Sequence, residues 1–321
     1  MLVSVVVICY NSEKYIIETL DSIYLQTYRN LELIISDDNS GDDTLVHCQN
    51  WLKVNAGRFT RTLVLNSDIN TGVTANCNRG LQEAQGEWIK FCAADDTLKP
   101  GCINDNILWI ENKPEIRVLF SRIEIFKDTF QKENHIKTIP VNPDDPKGIF
   151  AKDRTPDSQY RMLLVSDRIN NTPSVFLHRQ TLSDLGGFDE RYRMMEDYPL
   201  WLKLTKLGQK LYFMDKVTVN YRQHSMAINN RGESFLINPN YFRQEEFRKS
   251  NTYKFLPSDV RLYHRFKWSV SQLFRPERLN KNKKVNRFFY FLFTIYLNPF
   301  KYYLHLKKIF IKRLKTNEFY S

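Results

Sequence analysis

The first 96 residues alternate between short apolar runs and segments with helical periodicity, and this alternation constrains the fold more than any other feature. Residues 2–9, 31–35, 62–66 and 88–92 are the apolar runs, and each predicts a buried strand. An amphipathic segment follows each of the first three runs. A β-α-β-α-β-α-β order predicts an α/β fold with a doubly wound, mostly parallel sheet.

Polar residues follow three of the predicted strands. Tyr10 and Asn11 follow the first strand, an Asp37–Asp38 pair ends the second, and an Asp95–Asp96 pair ends the fourth. In such sheets ligands bind outside the carboxyl ends of the strands. Adjacent acids at the end of a buried strand are unfavourable unless a cation joins them, and a hard divalent cation shared with substrate phosphates would do so. Capping of the helix after Pro100 is the alternative.

The usual glycine-rich nucleotide motifs are missing from the sequence. No G-x-G-x-x-G follows the first strand, and G-x-x-x-x-G-K-[ST] does not occur. These absences argue against a classical dinucleotide dehydrogenase and a P-loop NTPase. We expect any nucleotide at this edge to be held by carboxylates and a metal ion.

The middle of the chain is less regular. We predict a helix over residues 100–112, strands over 118–126, 174–178, 210–213 and 217–221, and a helix that opens at residues 195–198. Residues 127–158 are polar and contain four prolines, and they predict a loop or lid over the site.

The five cysteines are odd in number and lack C-x-x-C spacing. This pattern argues against a disulfide framework and a zinc site, and it favours a reducing cytosol. The N-terminus lacks a basic segment before its apolar run, so we interpret it as a first strand and not as a signal peptide.

The positive charge is concentrated at the C-terminus. Residues 256–321 contain 15 Lys or Arg and three acidic residues, so the rest of the chain is nearly neutral against a formal net charge of +11. Basic residues such as Lys312 and Arg313 alternate with aromatic ones, and the longest apolar run, residues 288–297, is too short to span a bilayer. We expect basic helices on an anionic membrane surface. Helices packed on the body with a solvated basic face are the alternative, and the lack of a nucleic-acid module argues against nucleic-acid binding.

At this point the sequence resembles the family 2 glycosyltransferases. The resemblance covers residues 3–228 and rests on an ordered set of motifs, each weak alone. The motifs are Val5-Val-Val-Ile-Cys-Tyr-Asn11, Leu20-Asp-Ser-Ile23, Gln26-Thr27, Ile34-Ile-Ser-Asp-Asp-Asn-Ser40, Asp43-Thr44, Ala94-Asp-Asp96, Gly186-Gly-Phe-Asp189, Glu196-Asp197 and Tyr221-Arg-Gln-His224.

The resemblance implies a GT-A fold and an inverting transfer of a sugar from a nucleotide-diphosphate donor, such as a UDP-sugar. It implies that Asp38 accepts a hydrogen bond from the base, that Asp95 contacts the ribose and that Asp197 is the general base. Asp96 would coordinate Mg²⁺ or Mn²⁺ on the diphosphate, with His224 as a further metal ligand. The residues that would flank the nucleotide are Cys9, Tyr10, Asn11 and Glu13. A lone histidine after a strand is more often structural, and Arg222 is an alternative phosphate partner.

We also predict three regions with separate roles, of which the third lies outside the resemblance. Residues 1–100 would form the nucleotide-sugar-binding half of the GT-A domain, residues 101–255 the acceptor-binding half and residues 256–321 the basic helical tail. The chain lacks the Q-x-x-R-W motif of processive synthases, which favours transfer of a single sugar.

The basic tail leads us to expect a polyprenyl-linked glycan acceptor at the inner face of the cell membrane. The resemblance implies surface-polysaccharide synthesis, of O-antigen or capsule. A nucleotidyltransferase and a non-catalytic basic membrane-binding module are the alternative functions. A nucleotidyltransferase would want a glycine-rich basic loop after the first strand, which this sequence lacks.

Overall fold

The computed structural model describes residues 1–225, 235–311 and 318–320, and the chain forms two compact units. The first unit contains residues 1–159 and 169–222, and the second contains residues 160–168 and 223–321. The predicted boundary at residue 100 lies inside the first unit, and the predicted start of the tail lies inside the second. The assignment of separate roles to three regions stays a prediction.

The first 96 residues form the predicted alternation of strands and helices. In chain order the elements are β1 (Val3–Cys9), α1 (Ile16–Tyr24), β2 (Leu31–Asp37), α2 (Thr44–Asn55), β3 (Arg61–Asn66), α3 (Val73–Glu83) and β4 (Trp88–Ala93). Every residue of β2 is buried, as are six of the seven residues of β1. Burial on both faces explains why these strands are continuous apolar runs.

The rest of the first unit is more irregular than its beginning. Its elements are β5 (Thr97–Leu98), α4 (Cys102–Ile110), β6 (Val118–Lys127), β7 (His135–Ile139), the start of α5 (Pro156–Val165), β8 (Phe176–His178), α6 (Arg179–Asp184), α7 (Asp197–Lys206) and β9 (Leu211–Gln223). Two expectations need correction. The proline-bearing segment 127–158 contains β7, which pairs with β6, and the two strands predicted after residue 210 are the single strand β9.

One mixed sheet organises the first unit. The strand order is β3-β2-β1-β4-β8-β6-β9-β5, and β7 pairs with β6. The pairs among β1, β2, β3 and β4 are parallel, whereas β8 pairs antiparallel with both β4 and β6. The α/β fold class is therefore confirmed, with a parallel half built from residues 1–93 and an antiparallel half built from later strands.

The second unit is helical. Beyond the end of α5, it contains α8 (Pro239–Asn251), α9 (Ser258–Leu273), α10 (Lys284–Phe291), a π-helix (Leu292–Tyr296) and α11 (Pro299–Ile311). Its small apolar core includes Ile237, Phe242, Val270 and Phe274. Of the predicted tail, residues 312–317, with Lys312 and Arg313, and residue 321 lie outside the described residues. None of the helices in the described ranges is long and apolar enough to cross a membrane.

Candidate active site

The parallel half of the sheet brings the three predicted polar strand ends to one edge. Cys9 is paired in register with Asp37, and Ile8 with Ala93. Because β1, β2 and β4 are adjacent and parallel, the segments that follow them leave the sheet side by side. The sequence-based expectation that residues 10–11, 37–38 and 95–96 lie at one edge of the sheet is therefore confirmed.

Hydrogen bonds connect the loop after β1 to the loop after β2. The Asn11 N–H donates to the Ser40 hydroxyl oxygen, and the Ser12 N–H donates to the Thr44 hydroxyl oxygen. The Glu13 N–H donates to the Asp42 carboxylate. In return, the Asn11 side-chain oxygen accepts from the Gly41 N–H, and the Glu13 carboxylate accepts from the Asp43 N–H. Asn11 has a positive φ of 50°, which asparagine tolerates better than most residues. The two loops therefore form one connected wall.

The residues predicted to flank a nucleotide differ in how they meet this wall. Tyr10 is 50% exposed and presents an aromatic ring at the edge of the sheet, whereas the Cys9 side chain is buried. Cys9 contributes its carbonyl oxygen, which accepts from the Asp38 N–H and from the side chain of Asn76. Because the Cys9 side chain is buried, its thiol is not placed to contact a ligand. The prediction that Cys9 flanks the nucleotide therefore concerns its backbone and stays a prediction.

Asp38 organises the start of α3. Its carboxylate accepts hydrogen bonds from the backbone and hydroxyl of Thr71, from the Gly72 N–H and from the guanidinium of Arg79. Burial alone would raise the pKa of Asp38, but these hydrogen bonds outweigh it and the pKa is lowered. Asp38 is therefore ionised at neutral pH, and its carboxylate oxygens already accept hydrogen bonds from Thr71, Gly72 and Arg79. Base recognition by Asp38 stays a prediction.

Glycine at position 72 allows the segment that contains Arg193 to approach this loop. Gly72 has a φ of 92°, and a Cβ there would lie 2.2 Å from the Arg193 side chain. Arg193 donates to the carbonyl oxygens of Thr71 and Asn70, and its own carbonyl oxygen accepts from the Thr74 N–H. The segment that precedes Asp197 is thus fixed to the loop that Asp38 holds.

A second contact fixes the Gly186–Asp189 motif to α3. The Asn78 side chain accepts from the Phe188 N–H and donates to the Phe188 carbonyl oxygen. Gly187 has a φ of 74°, and a Cβ there would lie 2.4 Å from the Asn78 side-chain oxygen. Sequence analysis missed Asn78 because nothing in its local pattern distinguishes it from other polar helix residues.

Arg222 holds the Asp95–Asp96 turn. Its backbone N–H donates to the Asp96 carboxylate at 2.9 Å, and its Nε donates to the Asp95 carbonyl oxygen at 2.8 Å. The guanidinium also pairs with Glu18 and lies over the rings of Tyr15 and Phe130. Because Arg222 is 2% exposed and fully engaged in these contacts, the phosphate-binding role considered for it is not supported.

The acidic pair is chemically suited to a divalent cation. Asp96 is buried, and burial together with the adjacent Asp95 charge raises its pKa well above the ordinary value. A cation would relieve this unfavourable charge. No three His, Cys, Asp or Glu side chains within residues 1–225, 235–311 and 318–320 form a complete metal site. Mg²⁺ is commonly bound by one or two carboxylates plus substrate phosphates, so the donor set fits Mg²⁺ or Mn²⁺.

Asp197 is the first residue of α7, and its carboxylate has two protein partners. One oxygen accepts from the Tyr198 N–H at 2.7 Å, and the other accepts from the Thr172 hydroxyl at 3.1 Å. Burial raises the pKa of Asp197, while these hydrogen bonds lower it in part. The neighbouring Glu196 has its pKa raised to about 8, first by burial and second by the Asp197 charge. Of this pair, Asp197 is therefore the better candidate for the base at neutral pH.

His224 follows β9 and belongs to the second unit. Its side chain is half-buried. The first unit by itself brings together the strand-end residues, and it fixes the segment that precedes Asp197 to the Asp38 loop without His224. Metal ligation by His224 therefore stays a prediction.

The arrangement defines a class of protein. A parallel half-sheet whose strand ends carry paired acids, joined to an antiparallel half, is an α/β fold in which ligands bind outside the carboxyl ends of the parallel strands. Residues 4–171 match the family described as "Glycosyl transferase family 2". The chain belongs to glycosyl transferase family 2.

Curated relatives extend the similarity beyond the family region. A glycosyltransferase of Haemophilus influenzae described as uncharacterized is 29% identical over 70% of this chain and 66% of its own length. The Escherichia coli protein WfaP, named UDP-Glc:alpha-D-GlcNAc-diphosphoundecaprenol beta-1,3-glucosyltransferase, is 27% identical over 82% of this chain and 89% of its own length. The chain is therefore homologous to bacterial glycosyltransferases over more of its length than the family region.

Solved structures share the fold at low sequence identity. Staphylococcus aureus TarS 1–349 in complex with UDP-GlcNAc has a TM-score of 0.55 at 19% identity and covers 93% of this chain and 82% of its own. The mannosyltransferase PcManGT from Pyrobaculum calidifontis, in complex with GDP-Man and Mn²⁺, has a TM-score of 0.52 at 18% identity and covers 99% and 76%. Both support the GT-A fold.

Proposed function

We propose that this glycosyltransferase moves one sugar from a UDP-sugar to a polyprenyl-linked glycan, with inversion at the anomeric carbon. The observation that carries the proposal is that Asp38 and the segment before Asp197 are both hydrogen-bonded to the same loop. Asp38 holds the Thr71–Gly72 loop, and Arg193 fixes the segment before Asp197 to the same loop. Donor-side and acceptor-side groups are thereby held in one rigid arrangement, as group transfer requires.

On the donor side, the protein supplies an ordered edge for the nucleotide. Tyr10, Asn11 and Glu13 lie on the wall that connects the loops after β1 and β2. Asp95 and Asp96 follow the neighbouring β4, and Asp96 would hold Mg²⁺ or Mn²⁺ on the donor diphosphate. Such an ion stabilises the negative charge of the departing nucleoside diphosphate.

On the acceptor side, Asp197 takes the proton of the attacking hydroxyl. A sugar hydroxyl is a poor nucleophile near neutral pH, and a carboxylate within hydrogen-bond reach increases its reactivity. The hydroxyl oxygen forms a bond to the anomeric carbon as the bond to the diphosphate oxygen breaks on the opposite face. The diphosphate leaves with the electron pair, and the configuration inverts without a covalent enzyme intermediate.

The name of WfaP supports both a UDP-sugar donor and a lipid-linked acceptor. Surface-polysaccharide synthesis, either of O-antigen or of capsule, is therefore the proposed context. Transfer of a single sugar is proposed because the sequence lacks the processive motif.

The proposal predicts metal-dependent turnover of a nucleotide sugar by the purified full-length protein. We expect one UDP-sugar from a panel of UDP-Glc, UDP-GlcNAc, UDP-Gal and GDP-Man to be transferred to a GlcNAc-diphospho-polyprenol, with slow hydrolysis of the same donor in its absence. Thin-layer chromatography and release of nucleoside diphosphate measure the two reactions. Release of inorganic diphosphate from a nucleoside triphosphate and sugar phosphate would instead indicate a nucleotidyltransferase, and no turnover of any donor would favour a non-catalytic module.

The second unit presents a surface suited to an anionic membrane. No residue of α10 is buried, although the helix contains three phenylalanines and a valine. Exposed apolar side chains continue through the π-helix into α11. This aromatic–basic surface consists of Val285, Phe288, Phe289, Phe291, Phe293, Tyr296, Leu297, Tyr302, Tyr303 and Leu306, with Lys281, Lys283, Lys284, Arg287 and Lys301 beside them.

We propose that the aromatic–basic surface lies on the inner leaflet, where a polyprenyl-linked glycan is made. Basic residues supply about 1 kcal/mol each of attraction to anionic lipid, and the aromatic rings supply apolar contact. A packed helix with a solvated basic face would expose its charges and bury its rings. The rings here are exposed, with Phe288 at 62% and Tyr296 at 63%.

Lys283→Glu with Lys284→Glu is predicted to lower partitioning onto vesicles containing phosphatidylglycerol by about tenfold or more, since two charges are reversed. Vesicle sedimentation at low and high salt measures the effect, and Lys53→Glu with Lys147→Glu in the first unit is the matched control. Point variants are preferable to deletion from residue 280, because Asn280 is buried and hydrogen-bonded to Ile237. Failure of the wild-type protein to sediment with these vesicles would contradict membrane binding.

A further inference from the structure

A lysine lies in the middle of the apolar strand that leads to the acidic pair. Lys90 on β4 is fully buried, and its ammonium group donates to the carbonyl oxygens of Pro173 and Val175, at 2.5 and 3.3 Å. A buried ammonium is costly unless its donors are satisfied. Both acceptors flank Ser174, so Lys90 holds one short segment of the chain.

That segment is a 3₁₀ turn, Thr172–Ser174, and β6 holds its other side. The Ser174 hydroxyl accepts from the Ser121 N–H at 2.9 Å, and the Asn171 side chain donates to the Ser121 carbonyl oxygen at 2.7 Å. Ser121, Asn171 and Ser174 are all buried. The turn is therefore fixed by polar contacts to β4 and to β6, and it has little freedom to move.

The turn presents Thr172 to Asp197. The Thr172 hydroxyl donates to one oxygen of the Asp197 carboxylate while the Tyr198 N–H donates to the other. Two donors on different oxygens fix the rotation of the carboxylate group. A hydrogen bond to an ionised group contributes more than one between neutral groups, so this contact also favours the ionised, proton-accepting form.

We infer that Thr172 is a positioning residue for the Asp197 carboxylate, and that Lys90 acts through the turn to keep Thr172 in place. The inference rests on the proposed role of Asp197 as the base. It extends that role by connecting the base to β4, the strand that Asp95 and Asp96 follow. Neither Thr172 nor Lys90 contacts a reacting atom in this account.

The test compares Thr172→Val, which keeps the shape and removes the hydroxyl, with Thr172→Ser, which keeps the hydroxyl. Thr172→Val is expected to lower kcat about tenfold, as for loss of a hydrogen bond to a charged group, with donor KM unchanged. The acid limb of the kcat–pH profile should move to higher pH, because the ionised carboxylate loses a donor. Glu196 and the Cys77 thiol, on whose pKa values the Asp197 charge acts, are left in place in both variants.

Thr172→Ser should restore most of kcat and the wild-type acid limb. The matched control is Thr205→Val, since Thr205 is a buried threonine on the same helix as Asp197 and its hydroxyl donates to the Trp201 carbonyl oxygen. Lys90→Met should lower kcat in the same direction with unchanged donor affinity. If Lys90→Met does not fold, the two Thr172 variants decide the matter. A wild-type kcat and pH profile for Thr172→Val would overturn the inference.

A double-variant cycle separates this inference from the proposed function. In an Asp197→Asn background, Thr172→Val should change kcat by less than about twofold, because the carboxylate that it positions is gone. A further tenfold loss in that background would show that Thr172 acts elsewhere. Full turnover by Asp197→Asn alone would instead overturn the base assignment.

Discussion

Asp197→Asn is expected to lower kcat by about 10²–10⁴-fold, the usual contribution of general acid–base catalysis, while donor affinity stays within about twofold. Asparagine has the same shape, and its oxygen can accept from the Tyr198 N–H while its NH₂ donates to the Thr172 hydroxyl oxygen, so the start of α7 should remain intact. It cannot take the proton of the acceptor hydroxyl. Initial transfer rates at saturating substrates and donor calorimetry measure the two quantities.

The controls distinguish a base from a structural carboxylate. Asp184→Asn removes an exposed acid on α6 and should leave both quantities unchanged. An equal loss of donor affinity and kcat in Asp197→Asn would indicate a structural role at the helix start. A greater loss in Glu196→Gln than in Asp197→Asn would assign the base to Glu196.

The same pair gives a pH dependence with a definite sign. Burial raises the pKa of Asp197, and a base works only when it is deprotonated. Activity should therefore fall as pH falls through this raised value, at a higher pH than for an ordinary aspartate. Glu196, with a pKa of about 8, is mostly neutral at pH 7. Glu196→Gln should consequently leave the acid limb in place, whereas Asp197→Asn should remove it.

Asp96→Asn is expected to reduce transfer by at least about 100-fold, because a bound metal ion contributes several kcal/mol to stabilisation of a departing anion. The same variant should abolish the increase in melting temperature that Mn²⁺ and UDP-sugar together give the wild-type protein. Asparagine retains an oxygen that can accept from the Arg222 N–H. Calorimetry of UDP with and without Mn²⁺ measures the loss directly.

Stability without metal provides the internal control for Asp96→Asn. A carboxyl whose folded-state pKa is raised above its unfolded value stabilises the fold at low pH, and this contribution is lost as pH rises through the folded-state pKa. At neutral pH, replacing buried Asp96 with a neutral residue should therefore not lower the melting temperature of the metal-free protein. A large decrease, or unchanged transfer in the presence of EDTA, would contradict the metal-binding role.

The parallel half of the sheet is predictable from sequence because its strands are buried on both faces. Their apolar runs and the acids that end them leave little choice of fold or of site edge. The antiparallel half lacks this signal. The first three residues of β7 are exposed, so they form no apolar run. In β9, Asp215 and Lys216 are exposed, and this polar pair led to the prediction of two strands instead of one.

The positioning contacts were harder to predict because they join residues that are far apart in sequence. Lys90 and Pro173 are 83 positions apart, and Arg222 and Asp96 are 126 apart. A lysine inside an apolar strand was the one local signal available for the first pair. Nothing in the sequence around Thr172 indicates that its hydroxyl meets Asp197.

The close approach of Gly72 and Arg193 limits which segments can be exchanged between related enzymes when chimaeras are made. A chimaera that takes residues 186–197 from another enzyme would place a foreign side chain against Gly72, where there is no room for a Cβ. The loop at residues 70–72 must therefore be exchanged together with residues 186–197, although more than 110 residues separate the two segments. These two segments are neighbours in space and must be exchanged together. The crossover points of a chimaera that folds therefore cannot be chosen from the linear sequence alone.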